Sequence, residues 1–295
     1  MRVTELTDAE PGPRAIAVGT FDGVHLGHRE VISGADTVLT FEPHPVAVIA
    51  PARMPKLLTP LERKAEIIES LGVAELIVIR FDAAFAARGA ERFIDEVLVE
   101  RLTARSVSVG ENFRFGAGAA GDASMLAADG RFEARIVPLL EVDGEIVTSS
   151  RIRSLIAAGE VAPAAVLLGG AHELSGEVVG GDRRGRELGF PTANIVPPEG
   201  VACPGHGVYA CLADGLPAAV SIGVRPTFGS GRAELIEAHL IDFDGDLYGA
   251  ELRLRFLERL RGERRFATVE ALVAEMRSDV ERARAICARA ASTLG

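Results

Sequence analysis

At 295 residues the chain is long for one hydrophobic core and comfortable for two domains. Its 48% hydrophobic and 25% charged residues are those of an ordinary globular protein, and no apolar run approaches the roughly 20 residues that cross a bilayer. A formal charge of −10, with no basic block and no tryptophan, lacks the usual footprint of a nucleic-acid binder.

Three cysteines, Cys203, Cys211 and Cys287, are widely spaced with no C-x-x-C, which argues against a disulfide framework or a cysteine metal site. The first residues, Met1 to Asp8, are polar and lack the apolar core of a secretory signal. Together these predict a protein of the reducing cytoplasm, with no membrane and no nucleic acid among its partners.

Ala15-Ile16-Ala17-Val18 reads as a buried parallel strand feeding Gly19-Thr20-Phe21-Asp22-Gly23-Val24-His25-Leu26-Gly27-His28. A strand entering a glycine-rich turn that opens a helix offers backbone N–H groups to an anion. His25 and His28 fall on one side of the first helical turn. Two imidazoles there can hold negative charge that builds up on a phosphate. The chemistry implied is attack on the α-phosphate of a nucleotide, with pyrophosphate leaving. Taken alone, the same residues also fit a tight turn with two surface histidines.

A second strand, Thr37 to Phe41, follows so soon that only a helix of a turn or two fits between. It ends in Glu42-Pro43-His44-Pro45. Thr59-Pro60-Leu61-Glu62 predicts a helix start with Thr59 as N-cap, Leu61, Ala65, Ile68 and Leu71 as its apolar face and Gly72 at its end. Glu75 to Arg80 is the third strand, Phe81-Asp82 and Phe85 follow it, and a second amphipathic helix carries Phe93, Val97 and Leu98. Ser106 to Val109 is the fourth strand, leading into Gly110-Glu111-Asn112-Phe113-Arg114-Phe115-Gly116. Because ligands of open α/β sheets bind outside the carboxyl ends of the strands, His25, His28 and Asn112 can converge. Phe113 and Phe115 read either as core or as ligand wall. After a fifth strand, Ala134 to Leu140, Ser149 and Ser150 cap a helix and can bond phosphate oxygens, and an arginine one turn in can stabilise the transferring group.

Beyond Gly170 the alternation gives way to short strands separated by turn residues: 173–179, 192–196, 207–212, 218–222, 235–241 and 251–256. This pattern predicts a small antiparallel barrel, closed by a helix from Thr268 with Leu272, Met276, Val280 and Ala283 on its apolar stripe. The loop Gly180 to Gly189 is rich in glycine and arginine, which lets backbone N–H groups approach phosphates. Thr192 and Asn194 alternate onto one strand face and offer two neutral oxygens to Mg²⁺ and phosphate.

The ten residues Gly19 to His28 resemble the G-x-F-D-G-x-H-x-G-H signature of the bacterial bifunctional riboflavin kinase/FMN adenylyltransferases, or FAD synthetases. Further matches are Phe41-Glu42-Pro43-His44-Pro45, Val109-Gly110 with Phe113-Arg114-Phe115-Gly116, Thr148-Ser149-Ser150 with Arg153, Gly189-Phe190-Pro191-Thr192-Ala193-Asn194, Arg225-Pro226-Thr227-Phe228 and Glu237-Ala238-His239. The resemblance runs from about Arg14 to Arg284.

It implies an α/β Rossmann-like nucleotidyltransferase domain over 1–165, a doubly wound parallel sheet, and a riboflavin kinase β-barrel with a C-terminal helix over 166–295. Riboflavin would be phosphorylated to FMN and FMN adenylylated to FAD, both with ATP and Mg²⁺, so flavins are substrate and product. His25, His28 and Arg153 would serve adenylyl transfer, and Gly19, Phe21, Asp22, Gly23, Asn112, Ser149 and Ser150 would hold its nucleotide. Gly180, Gly185, Arg186, Thr192 and Asn194 would hold the kinase's nucleotide, with Thr192 and Asn194 also on the metal. Phe41, Pro43, Phe113, Phe115 and Arg225 would touch flavin, and Glu237 would take the proton from the riboflavin hydroxyl.

Four departures stand out. The helix after His28 is short, and the hydroxyl residues before Arg153 are permuted. Ser221 replaces an asparagine. Ala119-Ala120 stand where a basic residue commonly precedes Gly121-Asp122, so another arginine must substitute or ATP is held less tightly.

Overall fold

The computed structural model describes residues 1–180, 189–226 and 232–293, and among these the side chains other than those of 224–226, 232–234 and 292–293. The chain separates into two compact units, Met1–Ser149 and Ser150–Gly295.

The first unit is built on a parallel sheet of β1 (Arg2–Glu5), β2 (Arg14–Val18), β3 (Thr37–Glu42), β4 (Glu75–Arg80), β5 (Ala104–Gly110) and β6 (Glu133–Val137), in the order β1-β4-β3-β2-β5-β6. Its central strands are apolar runs because both faces are covered. Period-two alternation divides them between two cores. Ile16, Val18, Leu39, Phe41, Ile77 and Ile79 pack on one side with Phe93, Val97 and Leu98. Ala17, Val38, Leu76 and Val78 pack on the other with Phe21, Val24, Ile32 and Ile68.

Three helices bear on the site: α1 (Leu26–Ile32), α2 (Pro45–Ile49) and α3 (Leu61–Ser70). With seven residues, α1 is as short as the spacing to β3 requires. Edge strand β1 was not legible as a strand, since Arg-Val-Thr-Glu lies mostly in solvent. It is fixed by parallel pairing with β4 and by Arg2 Nη2 to Glu75 Oε1 at 2.9 Å. The expected cap at Thr59 is corrected: Pro60 occupies the N-cap position without a side-chain bond. The Thr59 hydroxyl is bound elsewhere, by the loop after β2. The predicted helix through Phe93 is real but widens to a π-helix over Phe93–Arg101.

In the second unit, α4 (Ser149–Ala158), of which only Ser149 belongs to the first unit, and α5 (Val161–Leu168) lead into the barrel. The predicted boundary at 165/166 falls within α5, but both helices pack with the barrel. Val161 lies in the barrel core, Gly205 N–H donates to Ile156 O at 3.0 Å, and Arg259 Nη1 donates to Ala158 O at 3.2 Å. The barrel closes in the order β7-β8-β11-β10-β9-β12, with β7 His172–Val179, β8 Ala193–Val196, β9 Gly207–Ala213, β10 Leu216–Pro226, β11 Arg232–Leu240 and β12 Glu251–Arg261.

Alternate residues, among them Ile195, Tyr209, Val220, Ile236, Ala238 and Phe256, fill its interior. Gly176 is required where β7 meets β8, because a Cβ there would lie 2.3 Å from Val196 O. The C-terminal helix α6 (Val269–Thr293) is capped by Thr268 Oγ1, which accepts from Ala271 N–H at 3.2 Å. It lays Val280, Ala283 and Ile286 on the barrel's outer face. All three cysteines are buried, and Cys287 Sγ donates to Cys211 O at 3.1 Å. Among the described residues no helix is long and apolar enough to cross a membrane.

Candidate active sites

The turn between β2 and α1 is strained and firmly held. Phe21 and Val24 adopt φ of 48° and 39°, and Gly23 reaches 93°. Such angles cost a non-glycine residue on the order of 1–3 kcal/mol and persist only where surroundings impose them. Here the surroundings are hydrogen bonds from beneath. Asp22 is buried, and its Oδ1 accepts from Leu58 N–H at 2.8 Å and Thr59 N–H at 3.1 Å. Gly23 N–H donates to Thr59 Oγ1 at 2.9 Å, and Ser149 Oγ donates to Asp22 O at 2.9 Å. The Thr20 carbonyl accepts from Lys64 Nζ at 2.9 Å and from Thr40 Oγ1 at 3.2 Å.

This scaffold positions the two histidines differently. His25 is the N-cap of α1, its Nδ1 accepting from His28 N–H at 3.2 Å. A neutral imidazole that accepts at Nδ1 carries its proton on Nε2, so His25 presents a donor at that atom. His28 lies inside the helix, its ring stacked on that of His25 with centroids 3.5 Å apart and planes 17° apart. Phe21 meets His28 edge-on at 5.4 Å. Expected neighbours on the strength of spacing, the two imidazoles form one stacked unit.

Both border a cleft of about 1050 Å³ that runs along the carboxyl ends of β2, β3, β5 and β6. The cleft brings together Gly19, Phe21, His25, His28, Phe41, Asn112, Phe113, Phe115 and Ser149 of the predicted set. Asp22 and Gly23 are not on its wall; they build the turn from behind. Pro43 is exposed and also off the wall. Ser150 and Arg153 follow on α4, in the second unit. Of the two phenylalanines with alternative readings, Phe115 is buried against Phe93 at 5.4 Å, while Phe113 is half-buried and stacks on Phe115 at 5.6 Å.

Several wall residues carry no site assignment from the sequence. His44 caps α2, its Nδ1 accepting from Val46 N–H at 3.2 Å. Phe81 and Phe85 extend the aromatic wall, and the Arg88 guanidinium lies 5.0 Å from the Phe85 ring centre and 2.9 Å from a Glu96 carboxylate oxygen. Arg114, paired with Asp122 at 3.0 Å, also borders the cleft. Ala119 reaches the wall, but Ala120, the position expected to carry a base, is exposed and outside it. Two arginines therefore stand on this wall despite the alanines.

Beneath the wall, burial pushes the Lys64 ammonium down in pKa, and the carboxylates of Asp22 and Glu42 push it back up. Burial raises Glu42, with Lys64 opposing. The signal for Lys64 was present in its spacing: it sits three residues after Leu61 and four before Ile68, on the face that α3 buries.

In the barrel, strand register assembles the polar row. Glu237 pairs with Asn194 across β8 and with Ser221 across β10. Ala238 is buried in the interior, so Glu237 and His239 project from the outer face. His239 Nδ1 lies 2.8 Å from the Pro191 carbonyl. A carbonyl only accepts, so that nitrogen carries a proton. Phe190 packs edge-on against the His239 ring at 5.5 Å.

Asn194 is buried, while Thr192 is half-buried just ahead of β8. Thr192 also borders a separate cavity of about 400 Å³ at the barrel mouth, with Val178, Leu240, Phe243, Asp246 and Tyr248; Asn194 and Glu237 do not. Gly180 follows β7 directly, whereas Gly185, Arg186 and the Arg225 side chain lie outside the described residues. Among the described residues there is no cluster of three histidine, cysteine, aspartate or glutamate side chains suited to a metal ion.

Two family models match the chain, FAD synthetase over residues 7–151 and riboflavin kinase over residues 168–287. A bifunctional riboflavin kinase/FMN adenylyltransferase of Escherichia coli K12 is 36% identical over 295 residues, covering 94% of each chain. Its counterpart in Listeria monocytogenes is 38% identical and covers 94% of this chain and 93% of its own. A solved structure described as a macrolide-efflux protein from Streptococcus pneumoniae has the same fold. It superposes with a TM-score of 0.88 at 28% identity, over 96% of this chain and 99% of its own.

Proposed function

The chain belongs to the family of bifunctional riboflavin kinase/FMN adenylyltransferases, and on that premise we propose which of its residues perform each step. The enzyme phosphorylates riboflavin to FMN and adenylylates FMN to FAD.

For adenylyl transfer, an FMN phosphate oxygen attacks the α-phosphorus of ATP and the bond to pyrophosphate breaks. Charge accumulates on the α-phosphate and on the leaving group. The stacked His25–His28 pair, at 3.5 Å, is the observation that carries the assignment. It supplies fixed donors, His25 through Nε2–H, in a cleft that is otherwise largely apolar. Arg153, in the family's last motif position, is assigned to the same charge. Asn112 and Ser149 bind the nucleotide, and Phe41 and Phe113 contact the flavin ring. Orientation of two bound substrates is enough for such a transfer without a covalent intermediate.

For the kinase, Glu237 accepts the riboflavin hydroxyl proton as the phosphoryl group moves. Magnesium enters with ATP. A hard, strongly hydrated ion carried by phosphate needs only one or two protein oxygens, and we assign that demand to Asn194, the register partner of Glu237, and Thr192, two residues before it. Mg²⁺ supplies neutralisation of the phosphate charge; the chain's residues orient the alcohol and receive its proton. We place both reactions in the cytoplasm, where ATP is supplied and buried thiols stay reduced.

The test is incubation with riboflavin and MgATP alone, followed by separation of flavins. FMN should appear first and FAD after it, and chelation of Mg²⁺ should stop both. Failure to form FMN would overturn the kinase assignment, and FMN without FAD would overturn the adenylyltransferase one.

A further inference from the structure

We propose that Lys64 is a positioning residue for adenylyl transfer, holding the nucleotide turn in its working conformation through the Thr20 peptide. This rests on the reading that the turn from Gly19 to His28 binds the nucleotide.

Lys64 does not border the cleft, yet its side chain is nearly inaccessible, with the residue 5% exposed. Burying an ammonium is expensive, so a lysine retained there needs compensating partners. The one described hydrogen bond of its ammonium goes to the Thr20 carbonyl at 2.9 Å, and the carboxylates of Asp22 and Glu42 are within its electrostatic reach. Thr20 is a wall residue. In a trans peptide the C=O and N–H point in opposite directions. Holding the Thr20 carbonyl on Lys64 and Thr40 therefore fixes the plane of the Thr20–Phe21 peptide, with the Phe21 N–H directed away from the Lys64 ammonium, and both residues border the cleft.

The same segment grips the turn at two further points. The Leu58 and Thr59 amides hold Asp22, and the Thr59 hydroxyl holds Gly23. Phe21 at a φ of 48° lies between these grips, so an angle it would not hold by itself is maintained. Releasing the Thr20 end should let Phe21 relax, and Phe21 is the residue against which the His28 ring is set at 5.4 Å. A buried positive charge behind the turn also favours the phosphates in front of it.

The test is Lys64→Met, which keeps the length of the side chain and removes its charge and donors. Displacement of catalytic groups by about 1 Å costs near 10²-fold, so kcat for FAD formation from FMN should fall about 10- to 100-fold. The KM for ATP should change by less than about threefold, because binding groups on the wall remain. Riboflavin phosphorylation should stay at the wild-type rate. Lys64→Arg, which restores the charge, should recover most of the lost kcat.

The variant is assayed beside His28→Ala at a temperature well below both melting points. If His28→Ala loses activity and Lys64→Met does not, Lys64 only stabilises the fold and the proposal is wrong. If neither loses activity, the nucleotide site itself is misplaced. Should Lys64→Met fail to fold, Lys64→Met/Glu42→Gln removes the buried ammonium together with the charge of its half-buried neighbour. That double variant must show the same loss of kcat, and wild-type turnover by it would equally overturn the proposal.

Discussion

In the first unit the candidate chemistry hangs on a turn, whereas in the barrel it hangs on strand register. The turn after β2 holds Phe21 and Val24 at positive φ and needs contacts from α3, β3 and Ser149 to stay there. The barrel row Asn194–Glu237–Ser221 needs no such outside support, because antiparallel pairing alone sets three side chains on one face. A site made from a strained turn depends on residues that never touch substrate. A site made from register depends chiefly on the residues in the row.

The largest expected effect is in the barrel. Glu237→Gln keeps the shape of the side chain but is a far poorer proton acceptor, so kcat for riboflavin phosphorylation should fall by roughly 10²–10⁴. FAD formation from supplied FMN should continue unchanged. If both activities fall together with a lower Tm, Glu237 is a structural residue and the contrast between the two units collapses.

Next comes His28→Ala, which removes one member of the stacked pair. FAD formation from FMN should drop by about 10²-fold, the scale of one lost charge-stabilising donor, with kinase activity nearly intact.

A subtler effect separates the turn from the row. Thr59→Val leaves the buried Gly23 N–H without its acceptor, a loss of about 1–3 kcal/mol in stability. It should lower the first unit's Tm and weaken adenylyl transfer, although Thr59 touches no substrate. The smallest effect is expected for Ala120→Arg. That position lies off the cleft wall, which already carries Arg88 and Arg114, so the KM for ATP should move by less than about twofold, as for an exposed charge. A large drop in KM would show that the alanines do weaken nucleotide binding.

Much of the architecture was legible because parallel strands buried on both faces are written as apolar runs, and barrel strands as alternation between turns. The polar edge strand Arg2–Glu5 was not, since its place depends on pairing with β4 rather than on its own composition. At the site, spacing put His25 and His28 together, but only the fold shows their rings stacked and His25 serving as a cap. Thr59 carried every mark of an N-cap, yet the helix begins one residue later and its hydroxyl binds a segment 36 residues away. Local capping rules cannot see a competing partner supplied by tertiary structure. Lys64 carries the sign of its burial in its spacing, since it lies on the face of α3 that also holds Ile68. Asp22 and Gly23 are expected at the nucleotide; the fold adds that both are hydrogen-bonded into the base of the turn, which spacing alone does not reveal.

The separation of the two chemistries is tested most directly by mixing the variants. Glu237→Gln alone should leave riboflavin unconverted, and His28→Ala alone should stop at FMN. An equimolar mixture given riboflavin and MgATP should produce FAD, each protein supplying the step the other lacks. If instead each variant has lost both steps and the mixture forms no FAD, the two sites do not function independently and the account is contradicted.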